Sequence, residues 1–186
     1  MLVLNSGFVM QLPLPKDIQI IPGPGSDFSL KGPLGTLPVG LSRLDPKGWF
    51  AYSLADHTFR LQALVNTKQS RALGPTLMSY VRQQCQGVQF GYFVTLEVRG
   101  VGFRVHMEDN QCVFKLGYSH DSIIGLPDGI QAWCPSVTEI CLFSCDYGHL
   151  TQFAAQVKAL RPRDAYKPKG IFEKDEVFIG KPGKKR

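Results

Sequence analysis

The sequence has no hydrophobic run that approaches the roughly 20 residues of a membrane-spanning helix, so a spanning segment is not expected. It opens with the mildly apolar Met1-Leu2-Val3-Leu4-Asn5 and lacks a basic segment there, so we expect no secretory signal peptide. Hydrophobic residues still make up 44% of the chain, enough for a buried core. An aromatic content of 11% and 13 prolines argue against a simple helical bundle.

Cysteine pairs with the spacing of metal or redox motifs are also missing. The five cysteines are odd in number and include no Cys-x-x-Cys pair. A disulfide framework is therefore not expected, and a reducing compartment fits better. Cys141 and Cys145 precede His149, but Cys141 falls in a strand-like run, where a free cysteine behaves as a small core residue. We expect no metal site and no cofactor.

No residue pattern is typical of an enzyme. Gly100-Val101-Gly102 begins like a dinucleotide-binding motif, but Val105 replaces the third glycine and a strand-like pattern follows, which favours a β-bulge. Ser119-His120-Asp121 are adjacent, so on an extended segment their side chains point apart rather than converge as a triad. We expect no catalytic residue. A small hydrolase using Ser119 and His120 remains an alternative.

The sequence is instead rich in positive charge at its end. Residues 160–186 hold nine Lys or Arg and four Asp or Glu, whereas residues 1–159 hold twelve basic and eleven acidic residues. A near-neutral body with a cationic tail favours a polyanionic partner. The tail has little apolar periodicity, so we expect it to order only against that partner. An adaptor whose tail binds an acidic protein is a further alternative.

The two halves of the chain resemble each other. Phe-Ser-Leu-Lys-Gly at residues 28–32 matches Val-Phe-Lys-Leu-Gly at residues 113–117, and strand-like runs at Thr58 and Thr138 each precede a helical pattern. Strands outnumber helices, which predicts an α+β fold of two similar small domains, each an antiparallel β-sheet with one helix packed on a face. The predicted domains are residues 1–86 and 87–160, followed by an extended basic C-terminal tail at residues 161–186.

One helix is predicted in each half. The first lies within residues 69–86; Pro75 implies that it either starts near Leu73 or is kinked. The second covers residues 147–160, where four apolar residues at helical spacing form its buried face. These four residues are Leu150, Phe153, Ala154 and Val157.

Three motifs carry a family resemblance. They are Arg99-Gly100-Val101-Gly102-Phe103-Arg104, Lys115-Leu116-Gly117-Tyr118-Ser119-His120, and Arg161-Pro162 through Tyr166-Lys167-Pro168-Lys169-Gly170-Ile171. Together with the lysine-rich end Gly183-Lys184-Lys185-Arg186, they resemble the sixth protein of the large ribosomal subunit, in its bacterial and organellar form. The match is dense in the second half and thin in the first. Asp121 departs from the family, which has proline there, and argues against a phosphate contact by that loop.

The resemblance implies a non-enzymatic structural protein that binds large-subunit rRNA near the stalk base and the sarcin–ricin region, beside neighbouring large-subunit ribosomal proteins. It implies no small-molecule substrate. The near-neutral body and the cysteines favour the mitochondrial matrix, with the plastid stroma or the bacterial cytoplasm as alternatives. The predicted rRNA-binding residues are Arg104, His120, Arg161, Arg163, Tyr166, Lys167, Lys169, Lys181, Lys184, Lys185 and Arg186.

Overall fold

Antiparallel sheets and a few helices make up both halves of the chain. The computed structural model describes residues 7–23, 27–55 and 57–183. The chain divides into two units, Met1–Gly91 and Tyr92–Arg186. Each unit combines small antiparallel sheets with a long helix, which confirms the predicted α+β class.

The first unit surrounds its own core with two sheets and one long helix. Its elements are β1 (Val9–Pro13), β2 (Gln19–Pro22), β3 (Phe28–Gly32), β4 (Gly35–Val39), α1 (Leu41–Leu44), β5 (Phe50–Ala55), β6 (Thr58–Ala63) and α2 (Lys68–Phe90). The strands form two antiparallel sheets in the orders β1-β6-β5 and β2-β3-β4. Helix α2 packs against both sheets, and Phe28, Phe59 and Leu77 are buried between them.

The start of α2 is fixed by a reciprocal cap. The Ser70 amide donates to the Thr67 hydroxyl at 3.1 Å, and the Thr67 amide donates to the Ser70 hydroxyl at 2.9 Å. The helix therefore begins at Lys68, and Pro75 lies in its interior. The predicted alternative start near Leu73 is wrong. Its buried face continues to Val88, so the boundary predicted after residue 86 falls inside the helix. Gly91, with φ of 72°, follows its last residue.

The second unit has the same kinds of element and one additional strand. Its elements are β7 (Tyr92–Arg99), β8 (Arg104–Glu108), β9 (Gln111–Lys115), β10 (Ser122–Gly125), β11 (Ile130–Ser136), β12 (Glu139–Ser144), α3 (Tyr147–Leu160) and β13 (Gly170–Glu173). The sheet orders are β10-β9-β8 and β11-β12-β7-β13. Helix α3 covers the inner face of the four-stranded sheet and buries the four predicted apolar residues.

The strand order shows that the two units are duplicates. In the first unit β6 lies between β1 and β5; in the second, β12 lies between β7 and β11. The orders β2-β3-β4 and β8-β9-β10 also correspond, and each long helix follows the middle strand of the first-named sheet. The internal resemblance in the sequence therefore corresponds to a repeated topology.

Part of the C-terminal tail belongs to the second unit. Strand β13 pairs antiparallel with β7, with Ile171 opposite Val98 and Phe172 opposite Glu97. Ile171 is 1% exposed and Phe172 is fully buried. The expectation that residues 161–186 form only an extended tail is therefore wrong for β13, because burying these two apolar side chains stabilises an additional edge strand.

The glycine-rich stretch also differs from its prediction. Strand β7 lies in the four-stranded sheet and β8 in the three-stranded sheet, so residues 100–103 connect two sheets and do not form a bulge within one strand. Gly102 has φ of 75°, a conformation that glycine adopts without strain. Because strand β8 follows, no helix N-terminus is presented to a dinucleotide.

The five cysteines are free thiols. Cys85, Cys112 and Cys141 are buried. Burial raises the pKa of the Cys85 thiol to about 11. Within the described ranges, no three His, Cys, Asp or Glu side chains are grouped so that they could hold a metal ion. The described helices include none with the length and hydropathy needed to cross a bilayer.

Candidate nucleic-acid interface

The C-terminal end of α3 positions Arg161, the first cation of the predicted basic tail. The helix starts at the Asp146 carboxylate, which accepts a hydrogen bond from the Gly148 amide at 2.8 Å. At its other end, the Tyr118 hydroxyl donates to the Leu160 carbonyl at 3.2 Å. The Arg161 guanidinium lies 4.7 Å from the centre of the Tyr118 ring. This cation–π contact orients Arg161 beside the helix end.

The first two of the three family motifs pack around one ring, Phe103. A Cβ added at Gly117 would lie 3.1 Å from this ring, and one at Gly100 would collide with it. Gly117 also has φ of 74°, which disfavours other residues. The Arg161 guanidinium lies 5.9 Å from the Phe103 ring centre. Phe103 of the first motif and Tyr118 of the second therefore both contact Arg161, the first residue of the third motif.

The third motif forms an exposed loop with closed ends, residues 162–169, which we call the cationic loop. At its base the Ile171 amide donates to the Arg161 carbonyl at 3.2 Å. Within it the Asp164 amide donates to the Lys169 carbonyl at 3.0 Å, and the Asp164 carboxylate accepts from the Tyr166 amide at 2.9 Å. All eight of its residues are exposed. The loop thus has a defined backbone, and its two lysines, Lys167 and Lys169, are exposed to solvent.

Gly170 permits the close approach at the base of the cationic loop. Its φ is 128°, and an added Cβ would lie 2.9 Å from the Pro162 carbonyl oxygen. We expect Gly170→Ala to lower the free energy of unfolding by about 1–3 kcal/mol, because both the backbone conformation and the contact become strained. Urea denaturation of the full chain measures this. The matched control is Gly183→Ala, where an added Cβ meets no atom within 4 Å. Equal stability of both variants would contradict the tight base.

A second part of the tail returns to the cationic loop. The Lys181 amide donates to the Ala165 carbonyl at 2.9 Å, and Arg163 forms an ion pair with Glu176. Phe178 packs edge-on against Phe172, with ring centres 6.1 Å apart. Lys181 and Arg163 line the same cavity of about 370 Å³. The structure therefore brings Lys181 next to the cationic loop, although it lies twelve residues beyond the end of that loop in the sequence.

Arg104 lies on the three-stranded sheet of the second unit, and His120 lies in the loop between strands β9 and β10 of that sheet. Arg104 on β8 is exposed and stands opposite Lys115 on β9. The Lys115 ammonium lies 3.7 Å from the Asp121 carboxylate, and His120 is exposed next to it in the chain. Asp121 therefore partly neutralises Lys115, which leaves Arg104 as the stronger cation of this group.

Several contributors were missing from the sequence prediction. Tyr118 and Phe103 orient Arg161, and Lys115, which is ion-paired with Asp121, lies opposite Arg104. Lys115 was detectable, since the Asp109-Asn110 turn fixes its register with Arg104. The other predicted residues with described side chains are all at the surface, Tyr166 with 62% exposure. Lys184, Lys185 and Arg186 lie outside the described residues.

Fold and site together define a duplicated α+β protein with a cationic loop supported by its second unit. The family model for ribosomal protein L6 matches residues 99–174. This range contains all three motifs and ends one residue after β13. The chain is 34% identical to large ribosomal subunit protein uL6 of Alkalilimnicola ehrlichii over 162 residues, covering 87% of this chain and 89% of that protein.

Two further relatives give similar values. Large ribosomal subunit protein uL6 of Cupriavidus metallidurans is 33% identical, over 93% of this chain and 94% of its own length. Protein uL6c of Trieres chinensis is 32% identical, over 86% and 87% respectively. This chain belongs to the ribosomal protein L6 family.

Proposed function

We propose that this protein is a structural constituent of the large ribosomal subunit that binds large-subunit rRNA through its second unit. The observation that carries the proposal is the cationic loop. Its lysines face solvent on a backbone closed by hydrogen bonds, and Arg161 is held against two aromatic rings. Such fixed, solvated cations bind phosphates with little ordering of the protein.

The contacts divide into positioning and stacking. Arg161, Arg163, Lys167 and Lys169 neutralise phosphates around the cationic loop, and Lys181 extends this surface. Tyr166 offers an exposed ring on which an unpaired base stacks. Arg104 with Lys115 supplies a second cationic point, with His120 beside it. Lys184, Lys185 and Arg186 continue the charge along the sequence.

The protein performs no chemistry and holds rRNA helices in place near the stalk base and the sarcin–ricin region, where translation factors dock. Its partners are rRNA and neighbouring large-subunit ribosomal proteins. We assign it to the mitochondrial ribosome because its body is nearly neutral and holds five cysteines. The plastid and bacterial ribosomes are the alternatives.

Sedimentation tests the proposal directly. We expect a tagged full-length chain to migrate with large subunits in a sucrose gradient of a cell or organelle extract, and to leave them when the RNA is digested. Migration at the top of the gradient, free of ribosomes, would reject the proposed role. Fractionation of the source cells into organelles and cytosol before the gradient separates the three locations.

A further inference from the structure

The outer face of the four-stranded sheet in the second unit carries an aromatic pair that the proposed rRNA contacts do not use. Phe93 on β7 is 54% exposed and Trp133 on β11 is 44% exposed. Their ring centres lie 5.4 Å apart across β12. Cys141 on β12, opposite Trp133, is only 5% exposed. The two rings thus form a continuous apolar patch at the surface.

The backbone next to this patch has an open edge. Strand β13 pairs with β7 from Arg99 to Leu96, and the Lys174 amide then donates to the Thr95 carbonyl at 3.0 Å. Successive residues of an antiparallel strand direct their peptide groups to alternate sides. The peptide groups of Thr95 point toward β13. Those of Phe93, two residues earlier, therefore point to the same edge of β7, beyond the point where β13 has ended. Its N–H and C=O can pair with another extended strand.

The charges around the edge distinguish between possible ligands. A hollow of about 280 Å³ beside Phe93 is lined by Glu173, Lys174 and Asp175. The Lys174 ammonium lies 3.3 Å from the Glu139 carboxylate. Glu173 is likewise paired, with Lys158 at 2.6 Å. Asp175 adds a further exposed carboxylate, so the surplus charge is negative and a phosphate is disfavoured.

We propose that this surface is a docking site for an extended, basic segment of another protein. The segment adds a short strand to the edge of β7 at Phe93. An apolar side chain of the segment covers the Phe93–Trp133 pair, and a lysine or arginine meets Asp175. Backbone pairing supplies affinity in this mode, and the alternating side chains supply specificity. The proposal does not depend on rRNA binding.

Fluorescence anisotropy with a defined peptide tests the site. The probe is a fluorescein-labelled synthetic peptide, Lys-Val-Lys-Phe-Lys-Val-Lys, titrated with the full-length chain without RNA. We expect saturable binding that weakens at least about tenfold in Phe93→Ala/Trp133→Ala. Asp175→Lys should weaken it about threefold or more. The matched control is Phe90→Ala, an aromatic residue of the first unit with 71% exposure, which should bind unchanged.

Two peptide controls test the mode of binding. The same peptide with N-methylated alternate amides should lose binding, because it cannot complete the strand pairing. The acidic peptide Glu-Val-Glu-Phe-Glu-Val-Glu should bind at least tenfold more weakly than the basic one. Equal binding of both peptides, unchanged binding in Phe93→Ala/Trp133→Ala, or no binding of the basic peptide would overturn the proposal.

Two other occupants give different results. If the patch stacks bases, oligouridylate will bind the chain and the Phe93→Ala/Trp133→Ala variant will lose that binding. If the patch joins two copies of this chain, analytical ultracentrifugation will detect a dimer that the same variant converts to monomer. Either result would replace the basic protein segment as the ligand of this surface. Because none of these measurements requires ribosomes, failure here leaves the ribosomal role standing.

Discussion

Replacing Lys167 and Lys169 by glutamate is expected to weaken binding to deproteinised large-subunit rRNA by about 100-fold at low salt. Both side chains are exposed on the cationic loop. A hydrogen bond to a charged group contributes about 1.5 kcal/mol or more, and each reversal also adds repulsion from a phosphate. The loop backbone is untouched, so the melting temperature should stay nearly constant.

The dependence of rRNA affinity on salt concentration tests the same contact. For about five neutralised phosphates, log affinity should fall against log salt with a slope of roughly −3 to −5, and the double variant should be shallower by about 1.5. The matched control is Lys16→Glu/Lys68→Glu, which changes net charge equally with two exposed lysines of the first unit. A wild-type slope near zero, or an equal loss in the control, would show that the cationic loop is not the RNA contact.

Phe172→Ala should lower the free energy of unfolding of the second unit by about 3–5 kcal/mol. Phe172 is fully buried in β13, beneath the Arg99 guanidinium at 4.8 Å and against Phe178. The first half of the tail would therefore detach with it, and RNA affinity would fall although no cation is removed. The matched control is Ile179→Ala, since this side chain is 88% exposed and should change stability by no more than about 0.5 kcal/mol.

Urea denaturation can follow the second unit alone. The chain has two tryptophans, Trp49 in the first unit and Trp133 in the second. In a Trp49→Phe background, the fluorescence of Trp133 reports the second unit. An unchanged midpoint for Phe172→Ala would mean that β13 contributes little and that the tail is separable, as the sequence had suggested.

The helices were predictable because their determinants are local. Helix α3 begins at the Asp146 cap and runs to Leu160, the predicted bounds, because its apolar residues repeat at helical spacing. Helix α2 extends beyond the predicted residues 69–86 at both ends, because Thr67 caps its start and its buried face continues to Val88. The duplication was also readable, since both halves carry the same succession of strands and helix.

Strand β13 was not predictable from local pattern. Its four residues, Gly170–Glu173, follow a proline-containing, lysine-rich loop and show too short an apolar run to indicate a strand. Its partner β7 lies some 70 residues earlier in the chain, so the pairing depends on the folded second unit. The misassigned bulge at Gly100–Gly102 has the same origin: a pair of glycines before a strand-like pattern fits either a bulge within one strand or a connection between two sheets.

The sequence alone determined the class of fold, the concentration of positive charge after residue 160 and the family motifs, because periodicity, composition and short motifs are properties of neighbouring residues. The tertiary structure decided which cations act together. It brings Arg161 onto Phe103 and Tyr118, and Lys181 beside Ala165. These contacts join residues distant in sequence, and their geometry is set by the burial of Phe103, Ile171 and Phe172.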